Sequence, residues 1–101
     1  MEYEVVVGYA GYIGVEETYT VDADTEDEAG VFALDKAVDD LSVQDVVDLG
    51  DGEYGVTVGF GGYIGAEETY TVAADNEGEA EEFGLDEAAF DLSVNDINIV
   101  E

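Results

Sequence analysis

The 101-residue chain contains no cysteine and no histidine, and Lys36 is its only lysine or arginine. Without cysteine the chain has no disulfide, no thiolate nucleophile and no Cys-ligated metal site. Without histidine it has no imidazole base and none of the usual zinc or copper ligand sets. The single cationic side chain excludes a basic patch, so we expect no direct binding of nucleic acid.

Long apolar runs and a basic leader are also missing. No stretch approaches the roughly 18 apolar residues of a membrane span. The acidic start Met1-Glu2-Tyr3-Glu4 lacks the positive charge that opens a signal peptide. We therefore expect a cytoplasmic protein with no membrane partner.

The chain is rich in acids and still rich in apolar residues. Its 28 aspartates and glutamates give a formal net charge of −27, whereas 47% of its residues are hydrophobic, including seven tyrosines and four phenylalanines. Disordered acidic segments are poor in such residues because they cannot bury enough apolar surface. The composition therefore predicts a folded protein, of one domain or two very small modules.

An internal repeat organises the sequence. Shifting the chain by 51 positions makes 29 of the 49 pairs from 2/53 to 50/101 identical, and 14 acids fall in each half. The motif Gly-Tyr-Ile-Gly occurs at 11–14 and again at 62–65. We interpret this as a tandem duplication of a 1–50 unit and a 51–101 unit, packed as one compact domain and joined by a tight turn at Gly50-Asp51-Gly52.

Each unit begins with two predicted strands. Apolar residues alternate with others in the first strand at Tyr3, Val5, Val7 and Tyr9, and again at Tyr54, Val56, Val58 and Phe60. Glycines near 8–11 and 59–62 then predict a hairpin turn. In the second strand we expect one face to carry Ile13, Val15, Tyr19 and Val21, matched by Ile64, Ala66, Tyr70 and Val72.

A helix and a third strand complete each unit. The capping-box pairs Thr25/Glu28 and Asn76/Glu79 predict the two helix starts. The predicted apolar lines are Ala29, Phe32, Ala33, Ala37 and Leu41, and Ala80, Phe83, Gly84, Ala88 and Leu92. Short strands are expected at 46–49 and 97–100. The fold class is therefore α+β, two ββαβ units with one helix each on antiparallel-rich sheet, related by a pseudo-twofold axis. One continuous sheet or two are both possible, and the turn at 50–52 favours a shared sheet.

The positions of several acids oppose helix stability. Asp39, Asp40 and Asp91 fall near helix C-termini, where the dipole disfavours negative charge. The pairs Asp35/Asp39 and Glu82/Asp86 are like charges four residues apart, each costing about 0.2–0.5 kcal/mol. We infer that something other than stability favours the charge.

Averaged over the surface, the charge density is about half that of DNA, and it would match DNA if the acids concentrate on one half of the surface. A folded protein of this mass exposes about 5,500 Å², or about 200 Å² per net charge, whereas B-DNA carries about one charge per 100 Å². In size, net charge and scarcity of cations the chain resembles small acidic DNA-mimic inhibitors of phages and mobile elements, including anti-CRISPR and anti-restriction proteins. The resemblance is to a class without a diagnostic motif, and it implies a protein of the host cytoplasm that blocks a nuclease or CRISPR effector. We expect no enzymatic activity and no cofactor or metal.

The candidate binding face is a set of acids on and beside the two helices. Its members are Glu28, Asp35, Asp39, Asp40, Glu79, Glu82, Asp86, Glu87, Asp91, Glu16, Glu67, Asp24 and Asp75. An alternative is adaptation of a cytoplasmic domain with a structural or small-partner role to high salt, which also favours excess acid. Against it, salt-adapted proteins usually keep arginines, which this chain lacks.

Other motifs have simpler interpretations. The run 22–28 begins like a calcium loop, but Asp27 stands where glycine is needed and Ala33 where a bidentate glutamate is needed. The glycines at 11–14 lack the lysine of a phosphate loop. Glu17 and Glu68 fall on the apolar face of the second strands, so each needs a tyrosine partner or an edge position. The tyrosines near the hairpin tips either pack in the core or serve as interface anchors.

Overall fold

The computed structural model describes residues 1–100 and has an α+β fold with six strands and two helices. In chain order these are β1 Glu2–Tyr9, β2 Glu16–Asp22, α1 Glu26–Val38, β3 Leu41–Gly50, β4 Glu53–Phe60, β5 Glu67–Ala73, α2 Glu77–Ala89 and β6 Leu92–Val100. The third strand of each repeat is thus longer than the predicted segments 46–49 and 97–100. Each of them pairs along the whole of an eight-residue neighbour.

The helix starts are confirmed at atomic detail. Thr25 Oγ1 accepts a hydrogen bond from the Glu28 amide at 3.2 Å, and Asn76 Oδ1 accepts one from the Glu79 amide at 2.9 Å. The two glutamate side chains reach back to the amides of Asp24 and Asp75, at 2.9 and 3.0 Å. Each reciprocal pair satisfies two donors that the helix itself cannot satisfy.

The strands form two antiparallel sheets of three, in the orders β2-β1-β6 and β3-β4-β5. The turn at 50–52 joins β3 to β4 as expected, with positive φ at all three residues. A single sheet shared by all six strands is not formed. Instead, the third strand of each sequence repeat pairs with the first strand of the other repeat. Each sheet therefore contains two strands from one repeat and one from the other.

Each helix covers one face of one sheet. α1 packs on β1, β2 and β6, and α2 packs on β3, β4 and β5. The contact is made through small residues, since Ala29, Ala33, Ala37, Ala80 and Ala88 are fully buried. Val5 and Val7 of β1 and Val56 and Val58 of β4 lie beneath them and are also fully buried.

Two parts of the predicted apolar lines were wrong. Phe32 and Phe83 remain 39% and 40% exposed, because alanine and glycine positions already bring each helix close to its sheet. Leu41 and Leu92 are buried, but they open β3 and β6, since the helices end at Val38 and Ala89.

The molecule is elongated, with principal extents of 53 × 24 × 16 Å between Cα atoms. A strand of eight residues spans about 26 Å, so the length corresponds to two sheets placed end to end. They meet where β1 and β4 end, with the rings of Tyr9 and Phe60 5.8 Å apart. We call this central region, made of Tyr9, Phe60 and the two turns 10–15 and 61–66, the waist, and the two sheet–helix units on either side the arms.

One sequence prediction about the waist was wrong. Ile13 and Ile64 were expected on the apolar faces of the second strands, but β2 and β5 begin later, at Glu16 and Glu67. Both isoleucines lie in turns and are fully exposed. None of the helices within residues 1–100 combines the length and apolarity needed to cross a membrane.

Candidate protein-binding surface

The acids lie on the surface throughout the described chain. Among residues 1–100 no charged side chain is buried. Five acids are half-buried, namely Glu17, Glu28, Glu68, Glu79 and Asp91, and the other described acids are exposed. Within the same residues no three acids converge into a group that could hold a metal ion. The carboxylates are therefore dispersed, as charge on a surface and not as a coordination site.

Very little positive charge offsets this surface. The ion pair found within residues 1–100 joins the N-terminal amine of Met1 to Asp22 Oδ1 at 3.0 Å. The hydrogen bond and charge of Asp22 raise the pKa of that amine. Lys36 is exposed in the last turn of α1. The negative field of the remaining carboxylates is consequently almost uncompensated.

Five of the predicted surface acids also have internal hydrogen bonds. Glu28 and Glu79 cap the helices, as described above. Asp40 and Asp91 accept hydrogen bonds from the hydroxyls of Tyr19 and Tyr70. Glu16 Oε2 accepts a hydrogen bond from Asn95 Nδ2 at 2.7 Å. These hydrogen bonds leave the five carboxylates less freedom to reorient toward a partner.

The other eight predicted acids are exposed, and their carboxylates accept no hydrogen bond from residues 1–100. They are Asp24, Asp35, Asp39, Glu67, Asp75, Glu82, Asp86 and Glu87. Four of them, Asp35, Glu82, Asp86 and Glu87, project from the helices, and Asp39 caps the C-terminus of α1. Asp24 and Asp75 precede the helix N-termini at the outer ends of the arms, whereas Glu67 lies at the waist. The predicted set is thus spread along the whole molecule and does not form one patch.

Tyrosine hydroxyls connect the strands to the helix–strand turns. Burial is the main cause that raises the pKa of Tyr19, and its hydrogen bond to Asp40 adds to the effect. Burial, followed by the hydrogen bond to Asp91, raises the pKa of Tyr70 in the same way. Tyr9 donates to the Val58 carbonyl at 3.1 Å, and its hydroxyl lies 2.9 Å from that of Tyr70. These hydroxyls remain protonated donors at neutral pH.

The two turns of the waist cross from one repeat to the other. The Tyr12 hydroxyl lies 2.7 Å from both the Glu67 carbonyl and Glu68 Oε2, and the bond to Glu68 raises the pKa of Tyr12. The Tyr63 hydroxyl donates to the Glu16 carbonyl at 2.7 Å. The tyrosine partner expected for Glu68 is therefore confirmed, whereas Glu17 is half-buried on the edge strand β2.

The most exposed large apolar side chains escaped the sequence interpretation. Ile13 is 101% exposed, Ile64 103% and Phe90 87%. Glycines with positive φ at 11, 14, 62 and 65 turn the two isoleucines outward. The sequence signal for this exposure was the glycine on each side of the Tyr-Ile pair, because glycine weakens the interior of a strand and often marks a bend. Cavities of about 400 and 300 Å³ lie beside the turns 11–14 and 62–65.

No protein-family model, curated protein or solved structure matches the chain.

Proposed function

We propose that the protein is a DNA-mimic inhibitor that occupies the DNA-binding groove of a nucleic-acid-binding defence protein, such as a nuclease or a CRISPR effector. The observation that carries the proposal is the linear charge density. Residues 1–100 hold 27 acids and one lysine, a net 26 negative charges over a length of 53 Å. That is about one charge per 2 Å, and B-DNA carries one per about 1.7 Å of its axis.

The cross-section supports the same interpretation. The 24 × 16 Å section between Cα atoms is close to the diameter of about 20 Å of a B-DNA cylinder. Averaged over the accessible surface of 5898 Å², the charge is about one per 220 Å², about half the surface density of B-DNA, so the likeness lies in the charge per unit length. A groove built for a duplex would therefore meet a rod of similar width and similar charge per unit length.

The rod would arise from a tandem duplication with pseudo-twofold symmetry. Equivalent hydrogen bonds recur 51 residues apart, as in Tyr19–Asp40 and Tyr70–Asp91. In this interpretation the 1–50 and 51–101 units are interleaved into one domain by their exchanged third strands. Duplication doubles the length and charge of a short acidic unit, which suits imitation of a longer duplex segment.

The inhibitor would act by occupancy, without a chemical step. Lysines and arginines that normally contact phosphates would contact carboxylates, and the extended negative field would speed the encounter. Much of the attraction would be lost at high ionic strength, because the Debye length falls from about 10 Å at 0.1 M to about 3 Å at 1 M.

Salt adaptation is the second candidate function, with a structural or small-partner role. Acids also stand on strands away from the helices, for example Glu4 and Asp45, both exposed. An acidic coat over every surface is what solvation in concentrated salt requires, whereas a mimic needs charge chiefly where it is bound.

Affinity capture from a bacterial lysate separates the two candidates. With this protein as bait, mimicry predicts one discrete nuclease or effector complex, released by duplex DNA or by about 0.5 M salt. A smear of basic proteins, or no capture, would favour the high-salt alternative.

Two charge-reversal variants test the helical face. Asp35, Asp39, Glu82 and Asp86 are changed to lysine in the first, which should abolish capture while circular dichroism shows an intact fold. The matched control changes Glu2, Glu4, Asp45 and Glu53, which are exposed acids on strands, and alters the net charge equally. If the helix variant still captured the target, the helices would not be the mimicking face.

A further inference from the structure

The waist presents two large aliphatic side chains that the fold does not use. Ile13 and Ile64 are fully exposed, although hydrophobic residues elsewhere fill the core of both arms. Single exposed apolar residues are common and need no explanation. Here, however, two identical residues occupy equivalent positions in two turns that the structure holds in place.

Each turn is hydrogen-bonded to the start of the strand that follows the other turn. Tyr12, next to Ile13, bonds to the main chain of Glu67, three residues beyond Ile64. Tyr63, next to Ile64, bonds to the main chain of Glu16, three residues beyond Ile13. The ring of Tyr12 also stacks on buried Tyr9, with centroids 6.4 Å apart. Because both turns are tied to the opposite repeat, the isoleucines would lose little conformational freedom on binding.

The surrounding charge identifies the kind of partner. Glu16 and Glu67 stand exposed beside the turns, with Glu17 and Glu68 half-buried next to them. A second copy of the chain would bring another net charge of −27 against this rim, and an anionic lipid surface would be repelled likewise. A basic protein surface carrying apolar side chains complements both features of the waist.

We propose that Ile13 and Ile64 are the apolar anchors of the interface with a basic partner protein. They insert into aliphatic or aromatic pockets of its cationic groove, while the acidic arms contact cations on either side. Interfaces commonly concentrate their affinity in a few desolvated central residues, and the waist is the centre of this rod. The identity of that partner as a DNA-binding protein rests on the proposed function, but the apolar contact itself does not.

A pair of defined polymers tests the contact. Poly-L-lysine presents charge alone, and a lysine–leucine copolymer of matched length and charge presents charge with apolar groups. Binding is measured at 0.5 M NaCl, where charge is largely screened. The variants are the double change Ile13→Ser with Ile64→Ser and, as control, Val47→Ser with Leu49→Ser at the outer end of one arm, where both residues are half-exposed.

The wild-type protein should prefer the copolymer by tenfold or more. The isoleucine variant should lose most of that preference, since burial of an isoleucine contributes roughly a tenfold factor or more, and the control should retain it. Equal preference in all three proteins, or loss in the control as well, overturns the proposal. A dimer of the wild-type protein that the isoleucine variant cannot form would also overturn it, by assigning the waist to a second copy.

The same variants separate this inference from the proposed function. If lysate capture finds no DNA-releasable partner but the copolymer preference depends on the isoleucines, the waist binds a basic protein and mimicry fails. If a DNA-releasable partner binds the isoleucine variant as tightly as the wild type, the waist inference alone fails.

Discussion

Two helical glycines should respond to alanine in opposite directions. Gly84 of α2 is buried, and a Cβ atom built on it would lie 2.5 Å from Val56 Cγ1 and 2.8 Å from Val56 Cβ. Gly30 of α1 is also buried, but its Cβ would lie 3.7 Å from Val94 Cγ2 and 3.8 Å from Ile97 Cδ1. The first site has no room for a methyl group, whereas the second offers ordinary van der Waals contact.

The magnitudes follow from two opposing terms. Alanine in place of glycine favours a helix interior by about 1 kcal/mol, and overpacking a filled core costs about 1–3 kcal/mol. Gly84→Ala should therefore lower the free energy of unfolding by about 1 kcal/mol. Gly30→Ala gains the helix preference without the cost of overpacking, and it should raise the free energy of unfolding by about 0.5–1 kcal/mol. Val56 cannot simply rotate away, because it is itself fully buried.

Thermal and urea unfolding followed by circular dichroism measure both effects. For a domain of this size, 1 kcal/mol corresponds to about 4–8 °C in Tm, so the variants should differ by about 10 °C. The first repeat has Ala33 at the position equivalent to Gly84, which makes Ala33→Gly a third comparison, expected to be destabilising. A Gly84→Ala protein more stable than the wild type would show that α2 does not approach β4 as closely as described.

Three further outcomes follow from charge, tyrosines and caps. Raised salt should stabilise the fold, because screening relieves the repulsion between its acids. Tm should increase by about 5 °C or more between 0.05 and 1 M NaCl. A chain that is unfolded at about 0.15 M salt and folded only at molar salt would support salt adaptation. Above pH 10 stability should fall, because the folded-state pKa values of Tyr19 and Tyr70 are raised. Their contribution to stability is complete below the unfolded pKa of about 10 and is lost as pH rises through the folded pKa values. An absorbance titration at 295 nm in which all seven tyrosines ionise near pH 10 in the folded protein would contradict this. Thr25→Ala should cost about 1 kcal/mol by removing the N-cap of α1, measured by urea unfolding, with Thr25→Ser as the near-neutral control.

Local features of the fold could be predicted from the sequence because their causes are local. The capping pairs at Thr25 and Asn76 define the helix starts through contacts only three residues apart. The alternation in β1 and β4 defines their buried faces, and Gly50-Asp51-Gly52 defines the hairpin. Each of these signals depends on neighbouring residues alone.

The strand exchange could not be predicted in the same way. Periodicity states which face of a strand is buried, but nothing in it states which strand lies alongside. β3 and β6 have similar patterns, and either could have paired with either first strand. The exposure of Ile13 and Ile64 has a related explanation. An isoleucine in an alternating run predicts burial, but both residues lie in the turns before β2 and β5, which begin only at Glu16 and Glu67.

The surface is predictable in composition but not in arrangement. That the acids lie outside the core follows from the cost of burying a charge, and the described residues agree. Which of them lie together on one face depends on the placement of the arms. The internal bonds of Asp40 and Asp91 depend on tyrosines 21 residues earlier in the chain, a separation at which sequence patterns give no guidance.

The exchanged strands also determine when the fold can be completed during synthesis. β1 pairs with β6, so the sheet that begins at Glu2 is completed only by residues up to Val100. Contacts between such distant segments slow folding, and a ribosome that has made the first half of the chain has released no finished sheet. The first arm therefore cannot form before the second. Until then the acids of the nascent chain are not held in the arrangement of the folded protein. The rod is complete only when β6 is in place, and Glu2 and Val100 then lie together at one tip of it.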